Sequence, residues 1–389
     1  MRPKFYEFFA GGGMARAGLG PQWTCLFAND FDSMKAETYE ANWGSDHFTL
    51  GDVAKIAVSD LPGQADLAWA SFPCQDLSLA GNYAGLGNAA SAVMTRSGTF
   101  WPFWALMKAL QNDGRAPRLI VLENVIGALT SRQGRDFAAI GAALSDAGYR
   151  FGALVVDAVK FVPQSRQRVF FIAVHSDYAV PAELTEREPS DDWHPRPLRE
   201  AHAGLSASAK KKWVWWRLSS PPARNTVLAD LIEDRPKGVR WHSEAETKRL
   251  LGLMSPLHLA KVEKARARRH KVIGSIYRRT RPGPTGEKQQ RAEVRFDDVA
   301  GCLRTPRGGS SRQTILVVEG QRVRSRLLSP REAARLMGLS DDYILPNRYN
   351  DAYHVAGDGV CVPVVRHLAD SLLEPILAGA AHDTLLAAE

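Results

Sequence analysis

The stretch that decides the fold is "KFYEFFAGGGMARAGLG", residues 4–20. Its first seven residues are mostly apolar and predict a buried β-strand, and the glycines after them predict a tight turn that leads into a helix. The next segments repeat this order, because "WTCLFAND" (23–30) predicts a strand and "SMKAETYEANW" (33–43) predicts a helix. Alternation of strands and helices predicts an α/β domain with a mostly parallel sheet, whose ligands bind in the loops after the strands.

Further apolar runs extend this pattern through the first half of the chain. Strands are predicted at "ADLAWAS" (65–71), "PRLIVLENV" (117–125) and "RVFFIAV" (168–174), and the helical patterns "FWALMKAL" and "FAAIGAALSDAG" lie between them. The alternation stops near residue 180, where residues 180–204 are rich in proline and charge and predict a linker. Basic, tryptophan-containing and irregular segments follow to about residue 325.

Regular helix resumes at "SPREAARLMGL", residues 329–339. Ser329 is placed to cap this helix, Pro330 takes the first helical position, and Glu332 completes a capping box. The sequence therefore predicts a first domain at residues 1–178, a linker and smaller irregular basic domain at 179–325, and a return segment at 326–389 that completes the first domain.

Positive charge is concentrated in the middle of the chain. The net charge is +8, yet residues 1–175 hold 15 basic and 15 acidic side chains, while residues 200–325 hold 27 basic and 12 acidic ones. The basic runs interleave with aromatic residues, as in "KKKWVWWR" (210–217) and "SIYRRTR" (275–281). Such asymmetry favours a nucleic-acid partner, with a merely solvated basic surface as the alternative.

Several protein classes are excluded by composition. No apolar stretch approaches the roughly 18 residues of a membrane span, and the first residues lack the apolar core of a signal peptide. The four cysteines, Cys25, Cys74, Cys302 and Cys361, are far apart and form no CxxC pair. This spacing argues against a disulfide framework and against a zinc site, and it predicts a cytoplasmic protein without a membrane partner or a metal.

Acidic residues follow two of the early strands. Asp30 ends the second strand, and Asp52 in "GDV" (51–53) follows a third apolar run. A carboxylate at such a strand end can accept hydrogen bonds from ribose hydroxyls, and the absence of a GxxxxGK[ST] motif argues against a triphosphate. The glycine turn and the acids together favour an adenosine-binding site, although each acid alone is better explained as a helix cap or a surface residue.

Cys74 is placed for reactivity rather than for packing. It comes after Pro73 and before Gln75, just past the end of an apolar run, and a loop near a helix start can lower the pKa of a thiol. Glu123 ends another strand and can act as a general acid or hydrogen-bond donor. Arg166 and Arg168 alternate before the next strand, so they are predicted to share a face, where they either bind a ligand or form salt bridges.

The ordered set FxxGGG, PCQ, ENV, QxRxR, a basic module and "GDGVCVPV" (357–364) resembles the DNA (cytosine-5) methyltransferase family. The resemblance covers nearly the whole chain apart from the middle module, and the compact build resembles the bacterial and phage members. It implies a Rossmann-like methyltransferase domain, a smaller irregular target-recognition domain, S-adenosylmethionine as cofactor, and double-stranded DNA as partner of a monomer. A cognate restriction endonuclease and a nucleoid-associated location in the cytoplasm are further expectations.

The resemblance also implies residue roles. The cofactor site is expected to include Phe9, Gly11, Gly13, Asp30, Phe31, Asp52 and Pro73, with Asp30 on the ribose, Phe31 on the adenine ring and Asp52 on the adenine amino group. The catalytic residues are expected to be Cys74, Glu123, Arg166 and Arg168. Candidate DNA contacts are Gln75, Arg304, Arg307 and Arg312, the last three within the glycine-rich loop "RTPRGGSSRQT" (304–314), which reads bases or only touches the backbone.

The implied reaction uses these groups in order. A cytosine leaves the duplex, Cys74 adds to its C6, Glu123 acts at N3, and Arg168 contacts the ring carbonyl with support from Arg166. Residues 79–101 match the family's mobile loop that closes over DNA.

Two motifs depart from the family pattern. Met14 follows Gly13 where many members have a second glycine, and Gly-Asp-Gly at 357–359 stands where many have Gly-Asn-Ser, which leaves the role of Asp358 undetermined. Two alternative functions are weighed against DNA methylation, namely an RNA cytosine-5 methyltransferase and a catalytically inactive DNA-binding protein. The large basic middle module disfavours the first, and the intact catalytic set disfavours the second.

Overall fold

A computed structural model describes residues 2–73, 96–282, 286–304 and 312–379. The chain forms two compact units, which are described separately. The first unit comprises Met1–Asp157, Gln167–Pro221 and Gly359–Glu389, and the second comprises Ala158–Arg166 and Pro222–Asp358.

A seven-stranded sheet forms the centre of the first unit, in the order β3-β2-β1-β4-β5-β7-β6. Its strands are β1 (Lys4–Phe8), β2 (Thr24–Asp30), β3 (Phe48–Leu50), β4 (Leu67–Ala70), β5 (Leu119–Val125), β6 (Tyr149–Asp157) and β7 (Gln167–His175). The first five strands pair in parallel, and β7 runs antiparallel to both β5 and β6. The predicted α/β class with a mostly parallel sheet is confirmed.

The central strands of the sheet are buried because helices cover them. The strand β4 is fully buried, and all but the last residue of β5 is buried, as expected when both faces of a parallel sheet are covered. The helices before and after these strands are α1 (Met14–Leu19), α2 (Ser33–Trp43), α3 (Phe100–Asn112) and α4 (Arg135–Asp146). Aromatic pairs fill the space between the layers, including Phe8 with Phe103 at 5.1 Å and Phe137 with Phe171 at 5.2 Å between ring centroids.

Residues 180–204 do not form the predicted linker. This region and the residues after it fold in the first unit as β8 (Thr185–Glu186), α5 (Arg196–Ala203), α6 (Ala207–Lys212) and β9 (Trp215–Trp216). Trp193 and His194 are buried, and the Trp193 indole donates to the carbonyl of Leu218 at 2.7 Å. A few large apolar residues anchor the segment, and its prolines and charges occupy the positions between them. The functional assignment of the three predicted domains stays a prediction.

The second unit contains a four-stranded antiparallel sheet in the order β11-β10-β12-β13. Its elements are α7 (Leu228–Leu231), α8 (Glu244–Gly252), α9 (Pro256–Arg266), β10 (Val272–Pro282), β11 (Lys288–Arg295), β12 (Thr314–Glu319), β13 (Arg322–Leu327), α10 (Pro330–Arg335) and α11 (Tyr349–Asp358). Buried residues of α8 and α9 pack with Val272, Ile276, Val294 and Leu316 in one apolar cluster.

The start of α10 has the predicted capping box. Ser329 Oγ accepts the backbone N–H of Glu332 at 3.1 Å, and the Glu332 carboxylate accepts the backbone N–H of Ser329 at 2.7 Å. The same carboxylate pairs with the fully buried Arg326 at 2.6 Å. One acid therefore accepts from both the backbone at the start of α10 and a buried guanidinium.

The last segment of the first unit contains α12 (Val362–Leu368), which a π-helical turn at Ala369–Leu373 follows, and helical residues continue to 379. Helix α12 packs directly against α1, since a Cβ added at Gly18 would lie 2.4 Å from Cβ of Val365. Among the residues described, no helix is both long enough and apolar enough to cross a membrane.

Candidate active site

Most of the site residues predicted in the first unit gather at one edge of its sheet. The parallel strands β1 to β5 all end there, and the order of connections reverses between β1 and β4. Ligands of open α/β sheets bind at such a reversal, beyond the carboxyl ends of the strands. The glycine turn follows β1, Asp30 ends β2, and Phe72 and Pro73 follow β4.

The glycine turn after β1 is held by hydrogen bonds to its neighbours. Phe9, Gly11 and Gly13 all have positive φ, at 57°, 56° and 76°. The Asp30 carboxylate accepts the backbone N–H of Gly11 at 2.8 Å, and the Trp43 indole donates to the carbonyl of Gly12 at 3.1 Å. The turn is therefore a fixed left-handed loop before the N-terminus of α1.

Gly13 cannot be replaced without disturbing this loop. Its φ of 76° disfavours any side chain, and an added Cβ would lie 2.3 Å from Nε1 of Trp43. Trp43 therefore closes the back of the turn and fixes its path.

The Asp30 carboxylate has a structural partner on each oxygen. Oδ2 accepts from Gly11, and Oδ1 accepts the backbone N–H of Asp32 at 3.0 Å, while the residue is 6% exposed. Each carboxylate oxygen has a second lone pair, so these bonds still allow a ribose hydroxyl to donate.

Two further residues at this edge suit an adenosine group. The Phe31 ring is 68% exposed, which is unusual for a phenylalanine and suits stacking on a flat apolar ring. Oδ1 of Asp52 accepts the backbone N–H of Ala54 at 3.0 Å, and its second oxygen can accept from an amino group. The residues present therefore fit S-adenosylmethionine.

A buried acid lies directly behind the turn. Glu7 in β1 is 1% exposed, its Oε1 accepts the backbone N–H of Arg16 at 3.3 Å, and its Oε2 has no hydrogen-bond partner. Burial raises the pKa of this carboxyl to about 8. Glu7 is therefore mostly neutral at pH 7 and stabilises the start of α1.

Glu123 and Arg168 form an ion pair at the same sheet edge. Nε of Arg168 lies 3.1 Å from Oε1 of Glu123, and the two side chains are 15% and 8% exposed. The pair forms because β7 runs antiparallel to β5, with Arg168 opposite Val125. The start of β7 thus lies beside the end of β5, and a charged donor meets a carboxylate in a largely buried place.

Asn124 joins this pair to the segment after β4. Its Nδ2 donates to the carbonyl of Phe72 at 3.1 Å, and its Oδ1 accepts the backbone N–H of Val125 at 2.8 Å. The first bond is buried and the second is partly buried, so the path of Phe72 and Pro73 is fixed relative to Glu123. The next two residues, Cys74 and Gln75, lie outside the described residues, as does most of the predicted mobile loop.

Arg166 and Gln164 lie in the second unit, where they bind backbone groups. Arg166 is 2% exposed, and its guanidinium donates to the carbonyls of Leu303 at 3.2 Å and Gly357 at 3.0 Å. Gln164 donates to the carbonyl of Leu336 at 2.7 Å and accepts from Leu303 at 3.1 Å. The "QxRxR" motif therefore passes from one unit to the other, and its Arg168 forms the ion pair with Glu123.

Of the four residues predicted to contact DNA, the structure describes Arg304 and Arg312. Arg304 is exposed, and Arg307 lies outside the described residues. Arg312 is half-buried, donates to Oδ1 of Asn350, and stacks on the ring of Tyr349 at 5.5 Å. Its guanidinium is thus already engaged within the second unit. Across the ranges that the structure describes, no group of three His, Cys, Asp or Glu residues could hold a metal ion.

The comparison with known proteins identifies the family. A family profile described as C-5 cytosine-specific DNA methylase matches residues 3–374. The chain belongs to this family. Its resemblance to the DNA (cytosine-5) methyltransferases is thereby confirmed, and the protein is an enzyme that methylates cytosine in DNA.

Individual relatives agree with the family. The type II methyltransferase M.BsuFI of Bacillus subtilis is 30% identical over 275 residues, which are 64% of this chain and 63% of the relative. The type II methyltransferase M.HaeII of Haemophilus aegyptius is 28% identical and the match covers 96% of this chain and 93% of the relative.

Solved structures share the fold. The Dnmt2 methyltransferase of S. pombe matches with a TM-score of 0.58 at 17% identity, over 96% of this chain and 99% of that one. The Entamoeba histolytica methyltransferase EhMeth matches with a TM-score of 0.59 at 13% identity, over 97% and 99%.

Three residues of this methyltransferase site were not predicted from the sequence. The sequence predicts Asn124 only as part of a strand end, although a buried amide beside an acid is a strong hydrogen-bonding signal. Trp43 was placed in a helix, and Glu7 was read as one residue of an apolar strand. An isolated acid within an apolar run was the available signal for Glu7.

Proposed function

We propose that the enzyme transfers a methyl group from S-adenosylmethionine to C5 of cytosine within a specific sequence of double-stranded DNA, through a covalent bond between Cys74 and C6 of the base. The observation that carries this proposal is the ion pair between Glu123 and Arg168. It lies at the sheet edge where Asn124 holds Phe72, two residues before Cys74.

The chain's own residues would hold the cofactor at the same edge. Backbone groups of the turn at Phe9, Gly11 and Gly13 surround it, Asp30 accepts from the ribose, and Phe31 and Asp52 contact the adenine. When bound, S-adenosylmethionine supplies an electrophilic methyl group. Pro73, which follows β4, would shape the turn that presents the Cys74 thiol to the same edge.

The target base must leave the duplex, because its C5 and C6 are stacked between neighbours in DNA. The Cys74 thiolate then forms a bond to C6, and Glu123 places a proton at N3 as the ring gains electron density. The addition raises the electron density at C5, which would take the methyl group as the bond between that group and the cofactor sulfur breaks and a neutral thioether is left. Loss of the C5 proton to a base, departure of the Cys74 thiolate and return of the N3 proton to Glu123 restore the aromatic ring.

Arg168 has two tasks in this scheme. Its Nε holds the Glu123 carboxyl in place, and its terminal nitrogens can donate to the cytosine carbonyl O2. Arg166 acts on the site only through the backbone, because its guanidinium binds the carbonyls of Leu303 and Gly357. We therefore propose Arg166 as a positioning residue rather than as a group that touches the base.

The remaining proposals concern the setting of the enzyme. We expect a monomer that acts in the cytoplasm on nucleoid DNA, and a cognate restriction endonuclease as its counterpart without direct contact between the two. The type II names of the relatives support the endonuclease proposal.

The test is methylation of unmethylated genomic DNA by the purified chain with S-adenosylmethionine, followed by sequencing after bisulfite conversion. The proposal predicts protected cytosines within one short sequence for the intact chain and none for Cys74→Ser. Methylation of RNA but not of DNA contradicts the substrate. DNA binding without any methylation, identical in the Cys74→Ser chain, contradicts the reaction.

A further inference from the structure

The hairpin of β10 and β11 extends beyond the sheet of the second unit. The strand β12 pairs with β10 only from Val272 to Ile276, whereas β11 pairs with β10 from Ser275 to Pro282. Four residue pairs of the hairpin lie farther from the sheet than Ala292, which is the last buried residue of β11 in that direction. We call these eight residues, 279–282 and 288–291, the outer ribbon.

Burial does not explain why the outer ribbon forms. All of its β10 residues are exposed, and its β11 residues are exposed or half-buried. Pro282 is the single apolar residue among the eight. A two-stranded ribbon without a covered apolar face is at best marginally stable in water, so the outer ribbon gains little from folding by itself.

Its charges also oppose folding in isolation. The outer ribbon holds Arg279, Arg281, Lys288 and Arg291 and no acid. Arg279 lies directly opposite Arg291, and like charges at such a pair are destabilising.

Nearby acids neutralise only part of the positive charge of the outer ribbon. Glu293, two pairs closer to the sheet than Arg291, contacts Arg281 at 2.7 Å and Arg279 at 3.5 Å. One carboxylate thus serves two arginines, and Arg291 and Lys288 add two more positive charges. A polyanion would neutralise the excess.

The shape and side chains of the outer ribbon fit a DNA groove. The major groove is about 12 Å wide and admits a two-stranded β-ribbon. Arginine makes paired hydrogen bonds with guanine, and glutamine makes them with adenine. Arg279, Arg281 and Arg291 supply the first kind of donor, while Gln289 and Gln290 supply the second.

We propose that the outer ribbon lies in the major groove of the target DNA and reads base edges, so that it sets the sequence in which cytosine is methylated. This inference rests on the proposed sequence-specific methylation. It assigns base reading to the outer ribbon in addition to the loop predicted at 304–314. In that loop, Arg312 already donates to Asn350 and lies over the ring of Tyr349.

The test separates base reading from contact with phosphate. Arg279→Lys combined with Arg291→Lys keeps both charges but removes the planar donor pairs that recognise guanine. Arg279→Ala combined with Arg291→Ala removes charge as well. The matched control is Lys261→Ala with Lys264→Ala, which removes two charges from exposed positions on α9 in the same unit.

The first measurement is the set of sequences methylated in a random duplex library. The lysine variant is expected to accept substituted sites, with the ratio of rates between the preferred and a substituted site falling roughly tenfold or more. The control is expected to keep that ratio, even where its overall rate falls and its dependence on salt weakens. An unchanged sequence preference in the lysine variant overturns the proposal.

The second measurement does not depend on catalysis. Chains that carry Cys74→Ser are used to select bound duplexes from the same library, with and without the lysine substitutions. A sequence enriched by the Cys74→Ser chain and weakened by the substitutions supports the proposal, even where no methylation is detected. The same enrichment with and without the substitutions overturns it, as does the absence of any enriched sequence.

Discussion

Nε of Arg168 lies 3.1 Å from Oε1 of Glu123, across the antiparallel pair of β5 and β7. This contact gives the buried carboxyl a fixed orientation, and the same guanidinium donates through Nη1 to the carbonyl of Gln167 at 2.9 Å. It also explains why a single antiparallel strand matters in an otherwise parallel part of the sheet, because only that direction brings the start of β7 beside the end of β5.

Glu123→Gln tests the carboxyl group itself. The amide keeps the size of the side chain but cannot transfer a proton to N3, so the rate of methyl transfer under single-turnover conditions is expected to fall roughly 100-fold or more. Binding of duplex DNA, followed by fluorescence anisotropy, is expected to change far less. A Glu123→Gln enzyme with a normal single-turnover rate would show that the carboxyl has no role in the chemistry.

Asn124→Ala tests the connection between β5 and the segment before Cys74. The change leaves the buried carbonyl of Phe72 without its donor, so we expect a loss of about 1–3 kcal/mol in the free energy of unfolding. We also expect kcat to fall more than KM changes, because the path of Phe72 and Pro73, which lead into Cys74, is no longer fixed relative to Glu123. Both quantities are measured on one preparation, by denaturant unfolding and steady-state kinetics.

Asn42→Ala is the matched control for that change. Asn42 Nδ2 donates to the carbonyl of Thr38 at 2.8 Å in α2, away from Glu123, and the residue is half-buried. Its removal is expected to leave kcat unchanged. Equal effects of the two substitutions on kcat count against a special role for Asn124.

The Met14 side chain packs directly against Gly359, so the two departures from the family pattern are expected to be energetically coupled. A Cβ added at Gly359 would lie 2.0 Å from the sulfur of Met14, which is 2% exposed. Gly359→Ser is therefore expected to destabilise the enzyme by about 1–3 kcal/mol through overpacking. With Met14→Gly in place, the same substitution is expected to cost at least about 0.5 kcal/mol less. Additive free energies of unfolding across this double-mutant cycle contradict the coupling.

The raised pKa of Glu7 predicts how the free energy of unfolding depends on pH. Its pKa is about 8 in the folded chain, above the value of 4.5 for a free glutamate side chain, so the folded state holds a proton that the unfolded state releases between these values. The stabilisation from the neutral acid is complete below about pH 4.5 and is lost as pH rises towards 8, with a slope of at most about 1.4 kcal/mol per pH unit. Glu7→Gln should remove this part of the slope. The free energies of unfolding of the two chains are compared from pH 5 to 9, and parallel curves contradict the prediction.

The order of the strands and helices followed from hydrophobic pattern, because each early strand is an apolar run closed by a glycine or an acid. Helix α2 begins and ends where its pattern predicted, with Asp32 as its cap. The strand β6 was not predicted, and the antiparallel direction of β7 could not be, because direction depends on which strands become neighbours. Residues 180–204 were misread because their proline and charge content hid the few anchoring residues, Trp193 among them.

The sequence singled out the charged residues of the candidate site, but not the residues that hold them in place. Glu123 and Arg168 form an ion pair at one edge of the sheet, and their catalytic roles stay a prediction. The separation of Arg166 from Arg168 depends on where the chain passes between the two units, which a local alternation pattern does not contain. The roles of Trp43 and Asn124 likewise depend on tertiary contacts to backbone carbonyls.

The central claim is that Cys74 bonds to the cytosine ring, and a trapped adduct tests it most directly. The full chain is incubated with S-adenosylmethionine and duplex DNA in which every cytosine carries fluorine at C5, which blocks loss of the C5 proton and hence release of the thiol. Cys25→Ser is the control, because burial raises the pKa of the Cys25 thiol to about 12 and keeps it unreactive. The account predicts a denaturation-resistant complex whose cross-linked peptide contains residue 74, formed by the intact and Cys25→Ser chains and absent with Cys74→Ser. A methylating enzyme that yields no such complex, or one linked through another residue, contradicts it.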